Sequence, residues 1–557
     1  MNISEIKNPL FLKELNNKEL KEVCASIRDE IIRYASKNGG YLSGNLSSIE
    51  LSVMLNKVFD GEDILLFDGN DINYTHKILH GRMNELDVNS NGAYSLSNAA
   101  GLAVSRDLDH KKQNIVVVVN STDLLSGRNT EALNLISTLG RKLIIVFNDD
   151  TTIDKGIGMI DKLISGLRST KSYNSLKDNV KDLIRPSKKG DKIIENIHNI
   201  KTSIKKNVID EGIFSEFNID YIGPIDGHDL DYLQRAFEIA KEKSYPCVVH
   251  CLTTKGKGFR FAEASTNDSW NKVGPFDPTN GIMMHSERED LLYARNIAGR
   301  FIEKMMGKNK DLVCVTTRNV NDYGVANVFA KYPLRCFDTV STAENALGFA
   351  SGLAIDGKIP YIALRSFELL NAFKTLKNQV NKLGRPFLIG LINDGNIDYS
   401  LLSELDHFYI CDPEDGNDLQ RTLYTAMSSD RPVMIILPDK CLEYKLIDDL
   451  QVKKLGIWNE ISNNEAGDIC VLASGNDLVL TKQLIISNGL NAELVDCTAL
   501  MPIDTEVLKD RLVSKKKIIC VSRKLETPIL RYANQISMAD KIFFKETDEL
   551  KDLFDGE

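Results

Sequence analysis

The sequence lacks long apolar runs and any basic stripe interleaved with aromatic residues. No apolar run approaches the roughly 18 residues that span a bilayer, and the first 20 residues lack the apolar segment of a signal peptide. We therefore expect a cytoplasmic protein with no membrane partner. The net charge of -9 is spread along the chain and no basic stripe alternates with aromatic residues, so we expect no nucleic acid partner.

A disulfide framework is missing as well. The ten cysteines are scattered and often lie inside apolar segments, as Cys314, Cys470 and Cys520 do, which is typical of reduced, buried thiols. The segment CVVHCL contains Cys247, His250 and Cys251. A strand points alternate side chains to opposite faces, so this pattern favours packing over a metal site.

Proline-rich and repetitive tracts are absent too, and 43% hydrophobic with 26% charged residues predicts a folded chain. Apolar runs of strand length alternate with amphipathic segments of helical type. This alternation predicts an α/β fold with mostly parallel sheets that helices cover on both faces. The runs comprise residues 115–119, 143–147, 247–252, 312–317, 361–364, 387–392, 433–437, 469–473, 492–497 and 517–521.

A chain of 557 residues is too long for one core, and two segments are typical of domain boundaries. The first is the loop NKVGPFDPTNG at 271–281, which is rich in proline and glycine. The second follows LPDKCLEYK at 437–445, before a charged stretch and a new series of strands. We therefore predict three α/β domains, at residues 1–275, 276–442 and 443–557.

Seven segments together resemble the 1-deoxy-D-xylulose-5-phosphate synthase family of transketolase-like thiamine diphosphate enzymes. They are HKILHGR (76–82), AGLAVSRDL (100–108), EALN (131–134), YIGPIDGHD (221–229), TTKGKGFRFAE (253–263), GPFDPTNG (274–281) and GFASGLAIDGKIP (348–360). The resemblance implies three doubly wound domains of transketolase-like type: a diphosphate-binding domain, a pyrimidine-binding domain and a transketolase C-terminal domain. It also implies a homodimer that uses thiamine diphosphate and Mg²⁺ to decarboxylate pyruvate and join it to glyceraldehyde 3-phosphate.

The resemblance places the diphosphate anchor after the strands at 115–119 and 143–147. Family members carry Gly-Asp-Gly at the first place, where this chain has Asn120, Ser121 and Thr122, and an Asn at the second, which Asn148 matches. Asn148 is thus the candidate metal and cofactor ligand. The side-chain oxygens of Asn120, Ser121 and Thr122 suit helix capping, but they do not replace a metal-bound carboxylate. Acids that follow these strands and offer other oxygens are Asp123, Asp149 and Asp150.

The catalytic positions that the resemblance implies are also altered. A gapless match puts Ala343 on the glutamate that activates the cofactor, and Glu344 on the next position. A shift of one residue turns a helical side chain by about 100°, so Glu344 takes the role only if a deletion restores the match. Of the expected histidines, His76 and His228 remain. Both are compatible with purely structural hydrogen bonds, and His76 is the catalytic candidate. Substituted histidine positions are Tyr41, Asp71, Asn91, Asn271 and Asn345.

The substrate phosphate has lost its implied partners as well. The three arginines that the family uses fall on Asn371, Asn393 and Asp439. At about 1.5 to 3 kcal/mol for each charge-assisted bond, this loss removes roughly 5 to 9 kcal/mol, and Asp439 adds repulsion. The aromatic residue expected against the pyrimidine ring falls on Glu368, and its neighbour Phe367 faces another way in a helix.

Two functions remain open at this point. The first is a degenerate, catalytically silent member of the family that acts as a binding or regulatory protein, as a homodimer or as a heterodimer with an active homologue. The second is an active thiamine diphosphate-dependent transferase with a rebuilt site around Asn148, Glu344 and His76. A third possibility, another anion or nucleotide in the cleft, would use Lys255 and Lys257.

Overall fold

The computed structural model divides into two compact units, Met1–Ser286 and Glu287–Glu557. It describes residues 3–59, 61–69, 71–86, 95–120, 124, 126–150, 214, 216–265, 269–284, 290–317, 320–339, 342–395, 397–445, 447, 450–462 and 467–550. Asp123, a candidate cofactor ligand, lies outside the described residues, as do Ser121, Thr122 and Asn91.

The first unit is built on a five-stranded sheet in which every pair of neighbours is parallel, in the order β2-β3-β4-β6-β5. A separate antiparallel pair is formed by β1 and β7. The strands are β1 (Gly40–Tyr41), β2 (Ile64–Phe67), β3 (Ile115–Asn120), β4 (Ile144–Asp149), β5 (Asp220–Asp226), β6 (Cys247–Leu252) and β7 (Lys272–Val273).

Helices cover both faces of this sheet. Alternate residues of β3 enter two apolar clusters, Val116 and Val118 on one face and Val117 and Val119 on the other. A strand buried on both faces must be apolar throughout, which explains the run at 115–119. The helices are α1 (Asn17–Asn38), α2 (Ser43–Ser47), α3 (Ile49–Val58), α4 (Tyr74–Leu79), α5 (Ser95–Leu108), α6 (Gly127–Leu139), α7 (Leu230–Lys241) and α8 (Arg260–Glu263).

The second unit contains two larger sheets. One has seven strands in the order β10-β9-β11-β12-β14-β13-β19, and the other has five in the order β16-β18-β17-β20-β21. Within these two sheets, all neighbouring strands are parallel except β13 with β19 and β16 with β18. The strands are β8 (Leu291–Tyr293), β9 (Leu312–Thr316), β10 (Cys336–Asp338), β11 (Ile359–Arg365), β12 (Leu388–Asn393), β13 (Tyr409–Cys411), β14 (Val433–Pro438), β15 (Cys441–Glu443), β16 (Asn459–Ser462), β17 (Ile469–Ala473), β18 (Glu493–Asp496), β19 (Ala499–Met501), β20 (Lys517–Cys520) and β21 (Ile542–Phe544).

Helices again flank these sheets. The pair α11 and α12 packs on one face of the seven-stranded sheet, and α9 with α14 packs on the other. The helices are α9 (Ala294–Met306), α10 (Ala326–Lys331), α11 (Ala343–Ile355), α12 (Ser366–Asn378), α13 (Tyr399–Leu402), α14 (Gly416–Ala426), α15 (Gly475–Asn488), α16 (Thr505–Ser514) and α17 (Glu526–Gln535).

The predicted α/β class with mostly parallel sheets is confirmed, and each of the ten apolar runs forms a strand. The three predicted domains and their two boundaries stay a prediction. Strand β19 lies in the segment predicted as the third domain, but it pairs antiparallel with β13 of the segment predicted as the second domain. Within the described ranges, no helix has both the length and the apolar character that crossing a membrane requires.

Candidate functional site

The carboxyl edge of the first sheet carries a chain of four hydrogen-bonded side chains. Asn120 Nδ2 donates to Asp71 Oδ2 (2.7 Å), Asn148 Nδ2 donates to Asn120 Oδ1 (2.7 Å), and Thr253 Oγ1 donates to Asn148 Oδ1 (2.8 Å). Asn120 and Asn148 are paired residues at the ends of β3 and β4, so the parallel register brings them together. We call these four residues the amide chain.

The direction of the amide chain follows from its acidic end. An ionised carboxylate only accepts hydrogen bonds, so Asn120 must turn its NH₂ group to Asp71. Its oxygen then faces Asn148, which must donate its own NH₂ group and present its oxygen to the Thr253 hydroxyl. Both amides are almost completely buried, with Asn120 2% and Asn148 0% exposed. Of the positions implied for cofactor and metal binding, Asn120 and Asn148 therefore bind each other.

The described residues do not fit a Mg²⁺-diphosphate group. Mg²⁺ requires near-octahedral oxygen coordination, whereas the Asn120 oxygen and one lone pair of the Asn148 oxygen already accept hydrogen bonds within the amide chain. The nearest carboxylate, Asp71, accepts the Asn120 amide. Among the residues that the structure describes, no group of three or more His, Cys, Asp or Glu side chains is arranged to hold a metal ion.

Asp149, one of the alternative oxygen donors, is committed to a buried histidine. Its Oδ2 lies 2.9 Å from His250 Nε2, and His250 Nδ1 lies 2.7 Å from the Tyr221 hydroxyl. Because the carboxylate accepts, Nε2 carries the proton and Nδ1 accepts from the tyrosine. Cys247 and Cys251 pack in the apolar cluster on the opposite face of the sheet from this histidine, in keeping with the alternation expected of CVVHCL.

His228 holds a loop in place, which is the role that suited it in the sequence. Its Nδ1 lies 3.0 Å from Glu50 Oε2, and its Nε2 accepts the backbone N–H of Thr254 at 2.9 Å. Arg28 donates to the other oxygen of Glu50 at 2.6 Å and to the Lys257 carbonyl at 2.8 Å. Burial opposes ionisation of Glu50, but the bonds from His228 and Arg28 hold its pKa below the usual value.

His76, the catalytic candidate on α4, is packed between aromatic rings. Its ring lies 4.8 Å from Phe67 and 4.3 Å from His80, and among the described residues its buried Nδ1 has no hydrogen-bond partner. Burial, with the charges of His80 and Arg82, lowers the pKa of His76 to about 3. A general acid at neutral pH needs a pKa near 7, so His76 is a poor proton donor in this environment.

In the second unit, α11 carries the other catalytic candidate. Ala343 is buried at 4% exposure, whereas Glu344 is partly exposed and Asn345 is exposed. The residue that a gapless match puts on the activating glutamate thus faces the core and has no carboxylate. Glu344 points about 100° away from it, as helical geometry requires.

Glu368 replaces the expected aromatic residue and is held by three donors. It accepts from the Tyr323 hydroxyl (2.9 Å), the Thr317 hydroxyl (3.2 Å) and the backbone N–H of Arg365 (2.8 Å). Burial raises the pKa of Glu368 despite these bonds. Phe367 is 41% exposed on the other side of α12, which confirms that the two residues face apart.

The implied phosphate positions are also bound within the protein. Asp439 forms ion pairs with Arg295 and with Arg365, the latter at 3.7 Å. The repulsion expected from Asp439 is therefore largely neutralised, which corrects the expectation from sequence. The same pairs commit these two arginines to the protein. Asn393 donates to the Tyr399 hydroxyl at 3.3 Å and accepts from the Gly395 N–H at 3.0 Å.

The sequence pointed to Asn120 and Asn148, at the carboxyl ends of β3 and β4. It gave no indication of Thr253 or of the role of Asp71. Thr253 begins the TTKGKGF segment, 105 residues from its partner Asn148, and follows β6 directly. Strand β6 neighbours β4 in the sheet, so Thr253, which follows β6, lies at the same edge as Asn148. A correct pairing of these two strands would have indicated Thr253. Tyr323 and Arg295 carry no comparable signal.

The chain is similar in sequence to known proteins. A family model described as 1-deoxy-D-xylulose-5-phosphate synthase matches residues 3–93 and 88–253. The 1-deoxy-D-xylulose-5-phosphate synthase of Lysinibacillus sphaericus is 28% identical over 562 residues, which cover 94% of this chain and 88% of the relative. That of Desulforudis audaxviator is 29% identical over 537 residues, which cover 89% and 84%. Among solved structures, transketolase from Campylobacter jejuni is 14% identical with a TM-score of 0.38, covering 97% of this chain and 98% of that one.

Proposed function

We propose that this chain, which is similar to 1-deoxy-D-xylulose-5-phosphate synthases, is a catalytically silent member of that family that acts as a binding or regulatory protein. The observation that carries the proposal is the amide chain. Residues at the metal and diphosphate positions satisfy one another, and the acidic end of the chain is Asp71. A diphosphate placed there meets a carboxylate instead of a bound cation, and like charges disfavour each other.

The second unit supports the same proposal. The position of the activating glutamate holds the buried methyl group of Ala343, and Arg295 and Arg365 are paired with Asp439. For a substrate phosphate to take these arginines, it would have to displace a carboxylate that is already in place. The substituted positions serve separate steps of the family reaction. The residues now at these positions make contacts within the protein.

The test is titration calorimetry of the full chain with thiamine diphosphate and excess Mg²⁺. We expect no binding up to about 1 mM cofactor, which corresponds to a binding free energy weaker than about -4 kcal/mol. A family member that turns over pyruvate, titrated in the same buffer, is the positive control. Binding in the micromolar range together with turnover of a 2-keto acid would overturn the proposal and establish an active transferase with a rebuilt site.

The partner that we propose is a second copy of this chain, bound through the outer face of α11 and α12. This face exposes Phe349 (41%), Phe367 (41%) and Leu370 (55%). Gly352 on α11 has no atom near the position of a Cβ, which leaves room for a partner helix to approach closely. Large apolar residues on adjacent helices are typical of a protein interface.

Light scattering after gel filtration tests this partner. We expect the wild-type chain at twice its mass of 62.3 kDa. Phe349→Asp places a charge in the interface and is expected to give a single chain at micromolar concentration. The matched control is Leu334→Asp, because Leu334 is 92% exposed outside α11 and α12. A wild-type chain that stays monomeric and assembles only with an active homologue would replace the homodimer with a heterodimer.

A further inference from the structure

Two of the ten cysteines face each other across neighbouring strands. Cys314 on β9 and Cys336 on the edge strand β10 are direct partners in the parallel register. Both side chains enter the same apolar cluster, so they lie on one face of the sheet, and the Cys336 thiol donates to the Val328 carbonyl at 3.5 Å. Directly paired residues of adjacent strands lie about 4.8 Å apart at Cα, within the range of about 4.4 to 6.8 Å that a disulfide spans.

The two thiols differ in reactivity. The hydrogen bond from Cys314 and the charge of Arg335 hold the pKa of Cys336 below its usual value, and the bond with burial raises the pKa of Cys314. Arg335 is fixed in position, since it donates to the carbonyls of Asn309 (2.9 Å) and Met306 (2.7 Å). Cys336 is 8% exposed at the sheet edge, whereas Cys314 is 0% exposed behind it. A thiol of lowered pKa at a sheet edge, with a second thiol next to it, is the arrangement of a redox-sensitive pair.

We propose that Cys314 and Cys336 form a reversible disulfide when the protein meets a hydroperoxide. The Cys336 sulfur attacks the peroxide oxygen, the O–O bond breaks, and Cys336 becomes a sulfenic acid as the alcohol or water leaves. The Cys314 sulfur then attacks the Cys336 sulfur, the S–O bond breaks, and the hydroxyl leaves as water with the proton of Cys314. Two thiols are oxidised by two electrons and one hydroperoxide is reduced. This modification site does not depend on the proposed function.

The test treats the folded full chain with hydrogen peroxide and follows intact mass and non-reduced peptides. We expect the loss of two hydrogens, a peptide that links Cys314 to Cys336, and reversal by dithiothreitol. Cys336 should be oxidised at least about tenfold faster than Cys470, which is buried in the other sheet and whose pKa is raised by burial. A different linked pair, or oxidation of Cys336 only after the protein unfolds, would overturn the proposal.

Two serine variants separate the steps. In Cys314→Ser, the sulfenic acid at Cys336 has no resolving thiol and should accumulate as a dimedone adduct. In Cys336→Ser, Cys314 should stay reduced at the same peroxide concentration. Thermal melting tests whether each variant is folded. If a variant does not fold, the linked peptides identified in the oxidised wild-type chain decide the outcome. Cys441, the one cysteine that is not buried, serves as an internal control for exposure alone and should remain reduced.

Discussion

Asn120→Ala is expected to lower the free energy of unfolding of the first unit by about 2 to 5 kcal/mol, without any cofactor present. The substitution removes one donor from the partly buried Asp71, leaves the buried Asn148 amide without its acceptor and opens a cavity at position 120. An unsatisfied buried group costs about 1 to 3 kcal/mol, and the cavity adds to this cost. This effect follows if the amide chain is a structural element. A residue that serves only as a ligand contributes stability when the ligand is bound, and little otherwise.

The two tryptophans allow the units to be measured separately. Trp270 lies in the first unit and Trp458 in the second, and both are buried. In a Trp458→Phe background, urea unfolding followed by tryptophan fluorescence reports the first unit alone. The control is Asn134→Ala on the exposed side of α6, expected to stay within about 0.5 kcal/mol of its parent. The contradicting result is an Asn120→Ala variant as stable as its parent, if cofactor and Mg²⁺ stabilise the parent but not the variant. Asn120 would then be a ligand of the cofactor or metal.

The sheets could be predicted from the sequence because buried parallel strands are continuous apolar runs. The run at 115–119 is apolar throughout since its alternate residues enter two cores. At the ends of the strands, the contacts between side chains were predictable only for strands that follow each other in the sequence. The proximity of Asn120 and Asn148 follows from the register of β3 and β4. The position of Thr253 required the strand order, which places β6 next to β4 although the chain reaches it much later.

Substitutions are harder to interpret than patterns, because a new polar residue can bring its own partners. Glu368 in place of an aromatic residue suggests a broken site, yet Tyr323 and Thr317 bind its carboxylate. Asp439 suggests repulsion of a phosphate, yet Arg295 and Arg365 pair with it. These partners lie between 45 and 144 residues away in sequence, and no local signal announces them. The altered positions therefore have polar contacts of their own within the protein, which the substitutions alone did not reveal.

His76→Phe is expected to make the first unit less sensitive to acid than the wild type. The pKa of His76 is lowered to about 3 by burial, against 6.5 in the unfolded chain. Between these values the unfolded state binds the proton and the folded state does not, so wild-type stability is intact above pH 6.5 and falls as the pH decreases. At roughly 1.4 kcal/mol for each pH unit, this group alone accounts for about 2.7 kcal/mol between pH 6.5 and 4.5. Phenylalanine keeps the ring contacts with Phe67 and His80 and has no proton to bind.

The measurement is the difference in urea midpoint between His76→Phe and wild type across that pH range, again with Trp270 as the probe. His110→Asn is the control, since His110 is exposed and its positive φ of 53° suits asparagine. Parallel pH profiles for wild type and His76→Phe would mean that His76 takes up a proton in the folded state near its ordinary pKa, and would restore it as a candidate acid. Diverging profiles show that the ring stays neutral, so that His76 contributes packing where an active family member would need a proton donor.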